Sequence, residues 1–375
     1  MADWKDCKNI LCIRPDNLGD LIMSGPAIRA LKETFGAKIT ILTSSMAAGI
    51  AKFLPQIDDV IVFDVPWVKT NQQPEPHQFI EIVDELKRHE FDAAVIFTVY
   101  SQNPLPTAMI PYMAGIPKRL AYCRENPYQL LTDWVPDKEP YHTIKHQVRR
   151  DLDLVAAVGA VTNNENLNLK VDEELTGPVD QKLMQAGVDL KKPWLILHPG
   201  VSEVKRLYNE EEWARAGKRI INDLGYQVLI TGVQSEKELT DRIASQIGVR
   251  AFSLAGLFNL SEFILLISRA PLLLSVNTGT VHIAAAVGTP TVVLYALTNP
   301  QHTPWNVPSK VLTFAVPLHL QSKNEVIVHG NRHFSHLDDI APDANDIVSA
   351  AGQLLNGNAE AYFYDEPRLL NAAGI

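Results

Sequence analysis

Short apolar runs alternate with amphipathic stretches along most of the chain. "NILCIR" (9–14), "KITILT" (38–43), "VIVFDV" (60–65), "AAVIF" (93–97) and "RLAYC" (119–123) are rich in β-branched residues and predict strands. "RPDNLGDLIMSGPAIRALK" (14–32) turns from the first strand into a helix, and "HQFIEIVDELKRHE" (77–90) predicts another. "HTIKHQVRRDLDLVAAVG" (142–159) predicts a closing helix ended by Gly159. Residues 160–192 turn polar and predict a connector with one short strand and one helix. A second series follows, with strands at 194–200, 226–232, 272–277 and 291–297 and helices near 210–224, 235–247, 260–269 and 280–287.

Continuous apolar strands separated by helices indicate parallel sheets covered on both faces. The pattern predicts two doubly wound α/β domains in tandem, 1–170 and 171–356, with a tail at 357–375. Such sheets bind ligands beyond the carboxyl ends of their strands, and two of them facing each other form an interdomain cleft.

Composition narrows the function. The 375 residues carry a net charge of -9, which argues against nucleic acid as a partner. The three cysteines, Cys7, Cys12 and Cys123, make no C-x-x-C pair, so no disulfide framework or cysteine zinc site is expected. No run of about 18 apolar residues predicts a membrane span, and the N-terminus lacks a signal-peptide pattern. The expectation is a cytoplasmic protein, a placement compatible with peripheral contact at the inner-membrane surface.

Candidate chemistry gathers where strands end. In "HPGVSEVKRLYNEEEW" (198–213), Gly200 lets a backbone approach a ligand and Lys205 supplies a point charge. An ordinary strand-to-helix turn with a solvated lysine fits equally. In "SVNTGTVHIAAAVGTP" (275–290), a small-residue helix starts near Thr280. Its free amides with Thr278 and Thr280 would cradle a phosphate, or the threonines only cap the helix. Glu236 in "GVQSEKE" (232–238) suits ribose hydroxyls, or only the helix dipole. Asp20 opens a helix, where it either caps amides or accepts a proton from an attacking hydroxyl late in the reaction.

Other clusters read more plainly. "DLD" (151–153) superficially matches a metal-binding pair, but residues i and i+2 of a helix face different ways. His329, His333 and His336 have helix-compatible spacing without a carboxylate partner, so no metal site is expected. Lys118, Arg119, Arg124, Lys145, Arg149 and Arg150 form a basic concentration that either meets acceptor phosphates or solvates helix faces. G-x-G-x-x-G, G-x-x-x-x-G-K-[ST] and G-x-S-x-G patterns are absent, against dehydrogenase, P-loop and hydrolase readings.

The ordered set "RPDNLGDLIMSGPAIRALK", "HPGVSEVKRLYNEEEW", "GVQSEKE" and "NTGTVHIAAAVGTPTVVLY…TNP", with "RENPYQLLTDWVPD" between, resembles glycosyltransferase family 9, from about residue 9 to 356. The resemblance implies a GT-B architecture of two Rossmann-like domains and inverting transfer without a D-x-D metal or other cofactor. It implies an ADP-heptose-like donor and a lipopolysaccharide-core or other surface-glycan acceptor. Asp20 of Gly19-Asp20 matches the family's general base, and Lys205 its phosphate-binding lysine. Glu236 matches the ribose carboxylate, and Thr278, Gly279, Thr280 and His282 the segment around the diphosphate. His198, Gly200 and Asn277 complete the donor set; Arg14, Asn17, Arg119 and Arg124 are the acceptor-side candidates. One departure stands out: the family usually reads Asp-Thr-Gly where this chain reads Asn277-Thr278-Gly279. Asn keeps hydrogen bonding to a sugar but loses a charge. Two other readings use the same architecture, a nucleotide-sugar epimerase or hydrolase and a non-catalytic nucleotide-sugar binder. An epimerase or hydrolase consumes donor without acceptor, and a binder turns over nothing.

Overall fold

The computed structural model describes residues 3–70, 72–296, 300–334 and 341–357. They divide into two compact units. One holds the chain to Asn168 together with Asn324–Phe334; the other holds Leu169–Lys323 and residues 341–357.

The first unit runs β1 (Asn9–Arg14), α1 (Leu18–Phe35), β2 (Lys38–Thr43), α2 (Ala48–Ala51), β3 (Asp59–Val62), α3 (Pro76–Arg88), β4 (Ala93–Ile96), α4 (Leu105–Met113), β5 (Lys118–Cys123), β6 (Asp133–Pro136) and α5 (Gln147–Ala156). The second runs α6 (Thr176–Gln185), β7 (Trp194–His198), α7 (Glu210–Arg219), β8 (Gln227–Ile230), α8 (Lys237–Ile247), β9 (Ala251–Ser253), α9 (Leu260–Arg269), β10 (Leu273–Val276), α10 (Gly279–Val287), β11 (Thr291–Ala296) and β12 (Ser309–Phe314). Helix α11 (Glu325–Phe334) returns to the first unit and α12 (Ala344–Leu355) belongs to the second.

Each unit is one six-stranded parallel sheet, ordered β3-β2-β1-β4-β5-β6 and β12-β11-β10-β7-β8-β9. Leu11 and Ile13 of β1 join a core with Ile82 and Leu86 of α3 and Ala108 and Ile110 of α4. Ile10 and Cys12 alternate to the other face. Because both faces are covered, the strand interiors are apolar at nearly every position.

The strand order matters for function. In each sheet the order reverses beside the first strand, between β1 and β4 and between β7 and β10. Loops leaving the two strands at such a point diverge to opposite faces, which opens a crevice there.

The sequence pattern gave five strands and four; the structure has six and six. The extra strands β6, β9 and β12 lie at the sheet edges, and all three residues of β9 are half-buried. None of these three carries the continuous apolar run that marks β3, so periodicity does not report them. The strand expected within 160–192 is absent among the described residues; α6 is the only α-helix there. Arg29 of α1 instead ties that segment down, donating to the carbonyl of Asn166 at 3.0 Å and to the Asn168 side chain. Helix α5 starts at Gln147, not 142, because His146 caps it, its Nδ1 accepting from the Val148 amide at 3.2 Å. Residues 324–334, expected with the second domain, fold onto the first: the His329 ring lies 5.0 Å from that of Tyr141. His336, Thr298, Asn299 and nearly all of the expected tail lie outside the described residues.

Candidate active site

In the first unit the polar groups collect at the β1–β4 reversal. Asn17 is the N-cap residue of α1, and Asp20 sits in the first turn. Asp20 Oδ2 reaches back to accept the Asn17 amide at 3.2 Å, one arm of a capping box. Its Oδ1 accepts from Arg14 Nη2 at 3.1 Å. Its side chain retains 11% exposure.

Arg14 ends β1 and is fully buried. Its Nε pairs with Asp16 Oδ2 at 3.1 Å while Nη2 holds Asp20. Burial alone would lower the affinity of Arg14 for its proton, but Asp16, Asp20 and Asp151 together raise it. Asp151 of α5 is buried behind the cluster, accepting from Ser24 Oγ and Gln147 Nε2 at 2.7 Å each. Burial raises its carboxyl above the usual range, opposed by Arg14 and the Ser24 hydroxyl. Ser24 lies one turn beyond Asp20 and also donates to the Asp20 carbonyl at 3.2 Å.

Two acceptor-side expectations change, those for Arg14 and Arg119, while Arg124 stays exposed. Arg14 faces no solvent and serves Asp20 instead. Arg119 is buried, with its guanidinium on main-chain carbonyls, Leu130 at 2.8 Å and Gln129 at 2.7 Å among them. Arg124 donates to the carbonyls of Tyr100 and Glu139 and pairs with Asp137 at 3.2 Å. The wider basic concentration is internally paired. Arg150 is buried on Asp137 at 2.9 and 3.0 Å and lies 4.2 Å from the Tyr122 ring centroid. Lys145 pairs with Asp153 and Arg149 with Glu165. Asp151 and Asp153 point apart, one buried on Ser24 and one on Lys145, as their helical spacing requires.

The second unit repeats the arrangement at the β7–β10 reversal. His198 ends β7, hydrogen-bonded through Nδ1 to Thr231 Oγ1 at 2.9 Å and packed on Phe263. Burial pushes its imidazole down to about 4, so it is neutral at pH 7. A Cβ at Gly200 would fall 2.2 Å from the Glu236 carboxylate, and one at Gly232 would fall 2.8 Å from it. Glu236 thus lies in a cradle that two glycines leave open, its Oε2 accepting the Val233 amide at 2.8 Å. Burial raises its carboxyl above the usual range, opposed by that amide.

Lys205 and Arg206 stand on a short turn after β7, both paired with Glu203, at 3.3 and 3.2 Å. Arg206 also donates to the Asn277 carbonyl at 3.0 Å, fastening the lysine turn to the loop after β10. The Asn277 side chain faces the main chain of β11: Oδ1 accepts the Ala296 amide at 3.1 Å and Nδ2 donates to its carbonyl at 3.5 Å. Thr278 caps α10 by position, and its hydroxyl is buried with no hydrogen-bond partner among the described residues. The first amides of a helix have no acceptor within it, so Gly279 and Thr280 offer donors to an anion. His282 is buried in that first helical turn, edge-on to His302 at 6.2 Å between centroids.

Sequence reading missed Asp16, Ser24, Gln102, Asp151, Glu203 and Arg206. Asp16 had one signal: two residues past Arg14, it follows a strand end whose arginine is buried. No three His, Cys, Asp or Glu side chains gather as metal ligands among the described residues.

Two doubly wound sheets, each with polar groups concentrated at its strand reversal, define a two-domain α/β protein. Comparison sharpens this. The sequence profile of glycosyltransferase family 9 (heptosyltransferase) matches residues 80–329. Lipopolysaccharide heptosyltransferase 2 of Escherichia coli K12 is 26% identical over 316 residues, covering 79% of this chain and 84% of that protein. The crystal structure of a family 9 glycosyl transferase from Veillonella parvula superposes with a TM-score of 0.73 at 17% identity, over 94% of this chain and 98% of that one. The structure of E. coli ADP-heptose lps heptosyltransferase II gives 0.71 at 22% identity, over 93% and 99%. The chain belongs to glycosyltransferase family 9, and its fold is that of these structures.

Proposed function

We propose that this protein is an inverting heptosyltransferase. It moves heptose from ADP-heptose to a hydroxyl of a lipopolysaccharide-core acceptor, without a metal or other cofactor. The names of its relatives support the donor and acceptor classes. It works at the cytoplasmic face of the inner membrane, in peripheral contact with that surface. No described helix is long and apolar enough to cross a membrane.

The setting of Asp20 carries this reading. Its carboxylate is oriented by Arg14 and the Asn17 amide in a side chain that keeps 11% exposure, which suits a general base. Asp20 takes the proton of the acceptor hydroxyl as that oxygen attacks the anomeric carbon opposite the leaving ADP. One displacement inverts the centre. Lys205 and the α10 amides meet the charge growing on the departing diphosphate, a role worth about 3–4 kcal/mol per donor in comparable sites. Thr278 adds a hydroxyl there, His198 and His282 complete the donor-binding set, and Glu236 receives the ribose hydroxyls. Asn17 faces the acceptor.

Asp20→Asn tests this. Transfer from ADP-heptose to truncated lipopolysaccharide core should fall by about 10²–10⁴-fold, with ADP affinity unchanged. A variant that keeps most of its transfer rate removes the base assignment.

A further inference from the structure

The β1–β4 reversal holds three carboxylates and one guanidinium, more acid than a single general base requires. Asp16 is 4% exposed and Asp20 8%, while Asp151 is 1% exposed. Arg14 is shared, Nε to Asp16 and Nη2 to Asp20, each at 3.1 Å. The groups facing Asp16 are Arg14 of β1, Asp20 of α1, Asp151 of α5 and Gln102 of the loop after β4, whose amide donates to Asp16 Oδ1.

We propose that Asp16 is a positioning residue that sets the basicity of Asp20 through their shared arginine. The proposal rests on Asp20 being the base. An ionised Asp16 repels the Asp20 carboxylate and divides the charge of Arg14, so Asp20 binds a proton more strongly. A protonated Asp16 leaves Arg14 to Asp20 alone and weakens the base.

Three buried carboxylates that share Arg14, with Arg150 acting on Asp151, do not all stay ionised as the pH falls. Asp151 keeps two neutral donors, and Asp20 has Arg14 and the Asn17 amide. Asp16 and Asp20 each have one amide donor and a share of Arg14, but only the Asp20 contact is a hydrogen bond; Asp16 Oδ2, 3.1 Å from Arg14 Nε, has no hydrogen-bond partner among the described residues. Burial pushes its carboxyl up to about 6, helped by Asp20 and Asp151 and opposed by Arg14 and Gln102. Asp16 therefore gains a proton as the pH falls through about 6, and the strength of the base changes with it.

The test pairs Asp16→Asn with Gln102→Leu, read in two ways. In wild type, kcat rises through about pH 6, and the ¹³C carboxyl signal of Asp20 shows a secondary inflection there. In Asp16→Asn both features disappear, and kcat at pH 8 falls about 3- to 10-fold with donor KM unchanged. In Gln102→Leu, which removes a donor from the Asp16 anion, both features move to higher pH by about half a unit to one unit. A limb and inflection at the same pH in Gln102→Leu overturn the proposal, and so does their persistence in a folded Asp16→Asn. Should Asp16→Asn fail to fold, Gln102→Leu decides. The carboxyl signal needs no turnover. An active Asp20→Asn removes the base reading itself; an inactive Asp20→Asn with unmoved inflections removes only the coupling.

Discussion

The carboxylate of Glu236 occupies the space that a Cβ at position 200 would fill, 2.2 Å from where that atom would lie. Glycine at 200 therefore keeps a seat for the acid. The end of a glutamate side chain swings aside at little cost, so Gly200→Ala should displace the carboxylate without unfolding the unit. ADP affinity should fall about tenfold, which is about 1.4 kcal/mol, with little change in melting temperature. Glu236→Ala should cost a similar amount, and the double variant no more than either alone. Calorimetric titration of the cycle checks this; additive losses would separate the two residues.

The Lys205 turn depends on Arg206, which bridges Glu203 and the Asn277 carbonyl. Lys205→Ala should weaken ADP binding and lower kcat about 10²–10³-fold, the loss typical of a donor to a developing anion. Arg206→Ala should reproduce part of both effects by loosening the turn. Arg206→Lys should not restore them, because an ammonium lacks the guanidinium fork that spans both partners. Donor titration and steady-state rates on the three variants check this ordering.

Asn277 suits its place because it both accepts from and donates to Ala296. The aspartate usual in the family, placed here, would direct an anion at a main-chain carbonyl in a site 7% exposed. Asn277→Asp should lose about 1–3 kcal/mol of stability. In thermal unfolding this reads as a drop of about 2–4 °C per kcal/mol. An unchanged or raised melting temperature would assign the residue to sugar contact rather than to bracing β10 and β11.

His198 predicts an acid sensitivity of the second unit. Its folded value, about 4, lies below the ordinary 6.5, so the unfolded chain binds the proton first. The stabilisation is present above pH 6.5 and is lost as the pH falls toward 4. The loss is on the order of 3 kcal/mol across that window. His198→Gln should flatten this part of the stability–pH curve measured by denaturant unfolding.

The chain by itself determined the alternation of strand and helix and the doubly covered parallel sheets. It also put candidate residues at strand ends: Asp20, Lys205, Glu236 and the Thr278–Thr280 turn. These are properties of contiguous residues, since a buried strand must be apolar throughout and a helix start must hold polar groups. Tertiary structure decided the partners. Arg14 and Arg119 read as acceptor contacts in sequence and prove to be buried, one on Asp20 and one on main-chain carbonyls; Arg150 reads as an acceptor-phosphate contact or a solvated charge and proves to be an internal strut. Gln102 meets Asp16 from 86 positions away and Ser24 meets Asp151 from 127. Strand order alone brings such residues together, because a charge taken out of water must find a counterpart wherever the sheet places one.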